Sequence, residues 1–347
     1  MQHDELDLLL DGADRWFADH SPMTERVAHF RAGHHEAPGA WSALAELGWT
    51  ALTLPESAGG FAARHTEAFA LLRRAGRDAR PEPLGLHLLL APRVAAQRPA
   101  SADELASGSM RLALADAAQH LHLTAGAVPV LGGQAGTLLG AEGATHYLLP
   151  VQHGAQQLMV MVDAAASGIS QQPARLVDGR STQQLAFDHT PILVVLGDAQ
   201  SWLDLAAASL VADSAGVLDA AFELTLDYLK QRQQFGKPLS VNQAIQHRMA
   251  EVFCDLQQLI ALSGRLAAEI DTAPDGPWPT LAPAKAFVGR RALRAAGALI
   301  QLSGGIAVTE EYRLTHFYRR LQVAATLFGD AEQQLARIDV ATQLLAA

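Results

Sequence analysis

The chain has 347 residues, of which 49% are hydrophobic and 18% are charged, and its formal net charge at pH 7 is −10. A chain of this length and composition can bury a large core, in one domain or in two or three smaller ones. The acidic balance is spread without long runs of one sign, which argues against a nucleic-acid-binding surface and repels an anionic membrane.

Cys254 is the single cysteine, which excludes a disulfide framework and a cysteine-based zinc site and predicts a small buried hydrophobe. The stretch from Met1 to Glu5 is acidic and lacks the features of a signal peptide. The most apolar early stretch, residues 84–96, is too short to span a bilayer. We therefore expect a cytoplasmic protein without a membrane span.

Residues 1–107 form a first zone with a helical pattern. Within residues 67–80 the apolar side chains recur at helical spacing, at Ala68, Leu71, Leu72 and Ala75. Pro81 ends this helix, because a residue that precedes proline is pushed out of the α region. We predict an α-helical N-terminal domain over residues 1–107.

Residues 108–197 have the pattern of a small β domain. Short apolar runs alternate with Gly, Asp and Gln clusters, and the runs cover residues 110–115, 146–151, 158–162, 183–187 and 192–196. Runs of this length with frequent turn signals predict strands. No glycine-rich phosphate loop follows any of them, which excludes a Rossmann or P-loop fold.

Residues 198–347 are predicted to form a bundle of long helices. The pattern predicts helices over 202–232, 242–271 and about 283–302, and a last helical region that is broken near Gly329-Asp330. Four long helices joined by short loops predict a four-helix bundle. The chain is therefore predicted to be mostly α, with a central, barrel-like β domain and a C-terminal bundle.

Two stretches of the predicted bundle resemble signatures of the acyl-CoA dehydrogenase family. They are Arg232-Gln-Gln-Phe235-Gly236 and Gln301-Leu-Ser-Gly304-Gly305. A third stretch, Leu54-Pro55-Glu56 followed by Gly59-Gly60, is also similar to the family. The resemblance covers most of the chain and implies the same order of domains.

The resemblance implies that Arg232 and Phe235 reach across a dimer interface to the FAD of a neighbouring subunit. It likewise implies that Gln301, Gly304 and Gly305 meet the ADP portion of that FAD. The chemistry agrees, because a guanidinium offers a planar fork of donors to a pyrophosphate and glycines let the backbone approach phosphate closely.

The resemblance also implies the substrate and the electron acceptor. The substrate is an acyl-CoA thioester whose CoA arm Asp204 contacts, and the acceptor is an electron-transferring flavoprotein. The implied setting is the catabolism of fatty acids or of steroid side chains.

The catalytic base of the family is a glutamate, and neither of its two known positions holds a carboxylate here. One position corresponds to Phe328 and the other to Ala206, and neither residue can accept the α-proton of a thioester. Two carboxylates lie nearby in the sequence, Asp330 and Asp213, and for each we expect a structural role. The sequence therefore leaves the catalytic residue unassigned.

The positions that serve the flavin ring in the family are also changed. Its Trp-x-Thr/Ser strand aligns with Thr137 and Leu139, and its Thr-Glu-Pro turn aligns with Ala115-Asp116. The isoalloxazine site of this subunit is therefore expected to lack the usual stacking and hydrogen-bonding groups.

Three hypotheses follow. The chain is an FAD-dependent acyl-CoA dehydrogenase that forms a 2,3-enoyl-CoA with an unfamiliar base, or it is a catalytically silent subunit. The silent chain is similar to short bacterial subunits that complete the FAD site of an active homologous partner. A scaffold that only associates through its bundle leaves the FAD motifs unexplained. The first two stay open, and both predict a homo-oligomer or a hetero-oligomer.

Overall fold

The computed structural model describes residues 3–20, 25, 27–28, 36–117, 120–124 and 129–346. The chain divides into two compact units. One unit comprises Met1–Ala32, Phe69–Arg80 and Leu210–Ala347, and the other comprises Gly33–Ala68 and Pro81–Ser209. The domain boundaries expected at residues 107 and 197 stay a prediction.

Helices occupy the part of the chain that precedes the sheet, as predicted. They are α1 (His3–Asp19), α2 (Ala40–Glu46), α3 (His65–Arg77), α4 (Leu84–Gln97) and α5 (Ala102–Ala106). The helix predicted over 67–80 is α3, and its last turn ends shortly before Pro81. Its buried face includes Ala68, Leu71, Leu72 and Ala75, the stripe that the spacing predicted.

The described residues between α5 and the long helices form a nine-stranded sheet. Its strands are β1 (Leu112–Ala115), β2 (His122–Thr124), β3 (Val130–Gln134), β4 (Leu138–Leu139), β5 (His146–His153), β6 (Gln156–Asp163), β7 (Ile169–Arg175), β8 (Ser181–Pro191) and β9 (Val194–Asp198). The order is β4-β1-β5-β2-β3-β8-β7, with β6 paired to β5 and β9 paired to β6. The five predicted strands are confirmed, whereas β2, β3, β4 and β7 were not predicted.

Long helices follow the sheet, which confirms the predicted C-terminal bundle. They are α6 (Ala199–Gln231), α7 (Gln243–Thr272), α8 (Leu281–Phe287), α9 (Leu293–Ser303), α10 (Arg313–Thr326) and α11 (Ala331–Ala346). A π-helical turn, Val288–Ala292, joins α8 to α9. These two helices together correspond to the single helix predicted over 283–302. The predicted break near Gly329 separates α10 from α11.

Two glycines let α3 and α6 pack with their backbones in direct contact. A Cβ atom on Gly216 would lie 1.9 Å from the carbonyl oxygen of Arg73, and one on Gly76 would lie 2.2 Å from that of Asp213. An ion pair reinforces this crossing, because Arg73 Nη2 lies 2.6 Å from Asp219 Oδ2. Glycine at these two positions therefore allows the close approach of α3 and α6.

Cys254 is exposed, so the prediction that it is buried is wrong. The buried stripe of α7 includes Met249, Val252, Leu256 and Leu259. At 100° per residue, position 254 lies off that stripe, which explains the exposure.

Among the described helices, α6 is the one long and apolar enough to cross a membrane by length and composition, and 89% of its most apolar window is buried inside the protein.

Candidate functional site

A small hairpin directly after α6 carries the first motif. The amide of Arg232 still donates to Tyr228 O at 2.8 Å, as in the last turn of a helix. The chain then forms two short strands, β10 (Gln233–Gln234) and β11 (Lys237–Pro238), which pair antiparallel. Both turn residues have positive φ, +54° at Phe235 and +77° at Gly236. Positive φ at both central residues defines the two-residue hairpin turn that fits the twist of the strands.

Phe235 is the most unusual residue of this hairpin, because its side chain is 100% exposed. A bulky residue at positive φ costs about 1–3 kcal/mol and persists where the surrounding structure or a function requires it. Because the ring is fully exposed, no buried contact with the described residues compensates this cost. The aromatic ring is therefore presented outward, together with the exposed Arg232.

The second motif lies at the end of α9. Gln301 is exposed in the last turn, and Gly304, with φ of +70°, ends the helix. A Cβ atom at Gly304 or at Gly305 would meet no atom within 4 Å, so the backbone there is open to a ligand.

A ring contact links the neighbourhoods of the two motifs. Tyr228, in the last turn of α6, contacts Tyr312, which directly precedes α10, with ring centroids 6.3 Å apart. Burial, Tyr228 and Asp227 together raise the pKa of the Tyr312 hydroxyl. This contact joins the helix that precedes the hairpin to the loop that follows the 3-10 segment Gly304–Val308.

Phe328 lies in a tightly held turn between α10 and α11. It is 5% exposed and has φ of +56°. Gln334 Nε2 donates to Phe328 O at 3.2 Å, and Lys285 Nζ donates to Gly329 O at 2.7 Å. Burial lowers the pKa of Lys285 to about 7, although nearby Asp330 raises it. The turn is thus fixed, but it presents a phenyl ring where the resemblance places a base.

The other position of the base is equally apolar. Ala206 is completely buried in α6, and its carbonyl oxygen accepts a hydrogen bond of 2.7 Å from Ser209 Oγ. Asp204, two residues earlier, is half-buried and accepts a hydrogen bond from Gln200 Nε2 at 2.7 Å. The Ala206 side chain provides no proton acceptor, and the CoA contact of Asp204 stays a prediction.

Both nearby aspartates have structural partners. Arg320 holds Asp213 through two hydrogen bonds, Nε to Oδ2 at 2.8 Å and Nη2 to Oδ1 at 2.9 Å, and both side chains are buried. Asp330 caps α11, because its Oδ1 accepts a hydrogen bond from the Gln333 backbone amide at 2.9 Å, while the Asp330 backbone amide donates to Gln333 Oε1 at 3.0 Å. This reciprocal pair has the pattern of a capping box. Both carboxylates therefore have structural roles.

Thr137 and Asp116 are neighbours at the ends of two paired strands, β4 and β1. The Asp116 amide donates to Thr137 O at 2.9 Å. Thr137 lines a polar cavity of about 620 Å³, together with Gln134, Gly136, Gln171 and Gln184. Leu139, in contrast, is buried in β4 opposite Leu114 and offers no hydroxyl. Burial raises the pKa of the Asp116 carboxyl.

Comparison with known proteins agrees with this geometry. Residues 196–342 match the family model described as "Acyl-CoA dehydrogenase, C-terminal domain". The acyl-CoA dehydrogenase IpdE2 of Mycolicibacterium smegmatis is 26% identical over 304 residues, which are 87% of each protein. A solved structure of a variant of the Tcur3481–Tcur3483 steroid ACAD is 27% identical, covers 99% of both chains and superposes with a TM-score of 0.91. The chain belongs to the acyl-CoA dehydrogenase family.

A further solved structure has the same fold. The ChsE4–ChsE5 complex of Mycobacterium tuberculosis superposes with a TM-score of 0.89 over 98% of this chain and 97% of that chain, at 19% identity. At that identity the likeness concerns the fold alone.

FAD is the cofactor that membership of the acyl-CoA dehydrogenase family implies, and the residues present fit one end of it. Exposed Arg232 and Gln301 and the open backbone at Gly304 and Gly305 suit a pyrophosphate and its ADP portion. The flavin-ring end within this subunit fits poorly, because Leu139 replaces a hydroxyl with a buried aliphatic side chain.

Reasoning from the sequence missed Lys285 and Gln334, which hold the Phe328 turn. A signal for Lys285 did exist, because a single lysine interrupts the apolar stripe that Ala284 and Val288 begin. A charge inside such a stripe indicates a buried group with specific partners.

Proposed function

We propose that this chain acts in the FAD-dependent α,β-dehydrogenation of an acyl-CoA thioester to the 2,3-enoyl-CoA, as the silent subunit of the assembly. In this role its hairpin completes the FAD site of a homologous, catalytic partner. One contrast carries the proposal: the outward-facing residues Arg232 and Phe235 are retained, whereas Phe328 and Ala206 occupy both positions of the base.

The residues of this chain bind and orient; they do not transfer the substrate proton. FAD, when bound, supplies the acceptor for the β-hydride. The Arg232 guanidinium offers two parallel N–H donors to a phosphate, a charge-assisted interaction that is stronger than a neutral hydrogen bond. Phe235 offers an apolar ring that requires no induced rearrangement, because the turn already presents it. Gln301 and the backbone near Gly304 face the same cofactor from the neighbouring motif.

The buried environment of the base position also argues for a silent subunit. A base that removes an α-proton must reach the substrate with a free lone pair. Asp213 has both carboxylate oxygens bound by Arg320, and Asp330 is occupied as a helix cap. Both carboxylates that lie near the base positions in the sequence therefore already have structural roles.

The relatives support an assembly and a substrate class. The solved relative at 27% identity is described by two chain names, Tcur3481 and Tcur3483, and as a steroid ACAD. We extend both features to this chain and propose a hetero-oligomer with a homologous subunit. Its substrate would be an acyl-CoA thioester of the steroid side-chain or fatty-acid type, with an electron-transferring flavoprotein as the electron acceptor.

The test compares the chain alone with the chain purified together with a co-encoded homologue. We expect little flavin and very slow turnover of an acyl-CoA panel for the chain alone, and both flavin and turnover for the complex. In the complex, Arg232→Ala should weaken FAD retention about ten- to a hundredfold, since a hydrogen bond to a charged group contributes about 1.5–3 kcal/mol.

Two results would contradict the proposal. Robust dehydrogenation by the pure chain would make it the catalytic enzyme of the first hypothesis. Unchanged FAD retention in the Arg232→Ala complex would remove the role of the hairpin.

A further inference from the structure

The register of the hairpin brings a second cation close to Arg232. Gln234 pairs with Lys237 and Gln233 pairs with Pro238. The Leu239 amide donates to Arg232 O at 2.9 Å, which continues the same register by one rung. Because side chains alternate between the two faces of a strand, Arg232, Gln234 and Lys237 share one face. Arg232 and Lys237 are diagonal neighbours, a relation that separates them by roughly 7–8 Å.

Two of the three lysines of the chain lie in this hairpin or in the helical turn directly before it. There are three in 347 residues, Lys230, Lys237 and Lys285, and the last is buried in the bundle. Lys230 has a carboxylate nearby, with its Nζ 3.9 Å from Asp227 Oδ1. Among the described residues, neither Lys237 nor Arg232 forms an ion pair with a carboxylate. Two exposed cations without a counter-ion therefore share one face of a very small element in a chain of net charge −10.

We propose that Lys237 is a second cation for the diphosphate that Arg232 binds. A diphosphate has two anionic groups a few ångströms apart, and each of the two side chains contacts one of them. The planar guanidinium suits bidentate contact with one phosphate, whereas the ammonium acts as a compact point charge for the other. The Gln234 amide, on the same face, adds neutral donors. This inference rests on the proposed function, in which the hairpin serves FAD.

FAD and CoA both contain a diphosphate linked to adenosine, so the chemistry of the site is common to both. We assign Lys237 to FAD because it lies on the same face as Arg232, two positions past the outward-facing Phe235. The experiment must therefore titrate both molecules.

The test uses the FAD-binding assembly, stripped of flavin and titrated with FAD, and separately with CoA, at several salt concentrations. Lys237→Gln should weaken FAD binding about tenfold and reduce the salt dependence of the dissociation constant, because one ionic contact is lost. Lys237→Arg should restore most of the affinity. Lys230→Gln is the matched control, because it removes an equal charge from the last turn of α6, outside the hairpin. It should change FAD affinity less than twofold.

The outcomes separate this inference from the function on which it rests. If Arg232→Ala weakens FAD binding and Lys237→Gln does not, Lys237 has no such role while the proposed function stands. If neither variant weakens it, the proposed function fails too. If Lys237→Gln weakens CoA binding and leaves FAD binding intact, the assignment to FAD is overturned. Equal losses in Lys237→Gln and Lys230→Gln would reduce the effect to general electrostatics and overturn the specific contact.

Discussion

Replacing Phe235 with asparagine should have opposite effects on the isolated chain and on the assembly. In the isolated chain the phenyl ring is fully exposed, so its removal costs no buried area. Its φ of +54° lies in the left-handed region, which asparagine tolerates better than a bulky residue. The substitution should therefore raise the free energy of unfolding by about 1 kcal/mol, the lower end of the cost of such strain.

In the assembly the same substitution should weaken FAD retention. Burying a phenyl ring contributes about 1.5–3 kcal/mol, which corresponds to roughly a ten- to hundredfold change in affinity. Urea unfolding of the chain measures the first effect, and flavin retention of the assembly during gel filtration measures the second. Gln233→Asn is a matched control, because Gln233 is in the same hairpin but has no positive φ. A lower unfolding free energy for Phe235→Asn would refute the strain argument, and unchanged flavin retention would refute the contact with FAD.

Three further predictions concern stability. Gly216→Ala should destabilise the chain by several kcal/mol in urea unfolding, because the added Cβ would overlap the Arg73 carbonyl. Gly264→Ala is the control: a Cβ at this position in α7 meets nothing within 4 Å, so the substitution should stabilise the chain by about 0.5–1 kcal/mol. Asp213→Asn should cost about 3–5 kcal/mol, because it removes the buried carboxylate that binds the buried Arg320 guanidinium through two hydrogen bonds, and a loss below 1 kcal/mol would contradict this. Burial lowers the pKa of Lys285 to about 7. Between pH 7 and about 10.5 the unfolded chain therefore binds more protons than the folded chain. The unfolding free energy should rise with pH in this range, by at most on the order of 1.4 kcal/mol per pH unit. Lys285→Met should remove that rise, and an identical pH dependence in the variant would refute it.

The long helices were predictable because their signals are repeated many times. In α7, four or more turns place apolar residues on one stripe, and Pro238 and Pro274 mark where the helix begins and ends. Each turn adds an independent indication, so the pattern predicts the helix without knowledge of its neighbours. Cys254 shows the limit of this reasoning, since composition alone suggested burial while its angular position on the helix made it exposed.

The unpredicted strands have no comparable signal. Of the seven residues of β7, five are exposed and three are glutamine or serine side chains that follow one another. In β3, two glycines interrupt the apolar alternation, and the pairing with β8 shifts register between Leu131 and Gly133. Such strands form because a neighbouring strand offers backbone donors and acceptors. That information lies in the partner strand and not in the segment itself.

The candidate site divides in the same way. Arg232, Phe235 and Gln301 could be found from the sequence, because the resemblance depends on local motifs. Other features could not be found in this way. The positive φ of Phe235 and the shared face of Arg232 and Lys237 depend on backbone geometry. The hydrogen bond from Lys285 to Gly329 depends on a contact between distant parts of the sequence. Lys285 and Gly329, for example, are 44 positions apart.

The separation of these elements is compatible with the proposed silent subunit, which lacks the base and keeps the hairpin. The hairpin lies between α6 and α7, whereas Phe328 lies between α10 and α11. Lys285 and Gln334 hold the Phe328 turn through its backbone carbonyls, so their hydrogen bonds do not depend on which side chain stands at position 328. A phenyl ring there preserves the joint between the two helices and avoids the cost of burying a carboxylate without a partner. Under the proposed function, this change would remove the chemistry of the subunit without disturbing the hairpin that we propose serves a partner's cofactor.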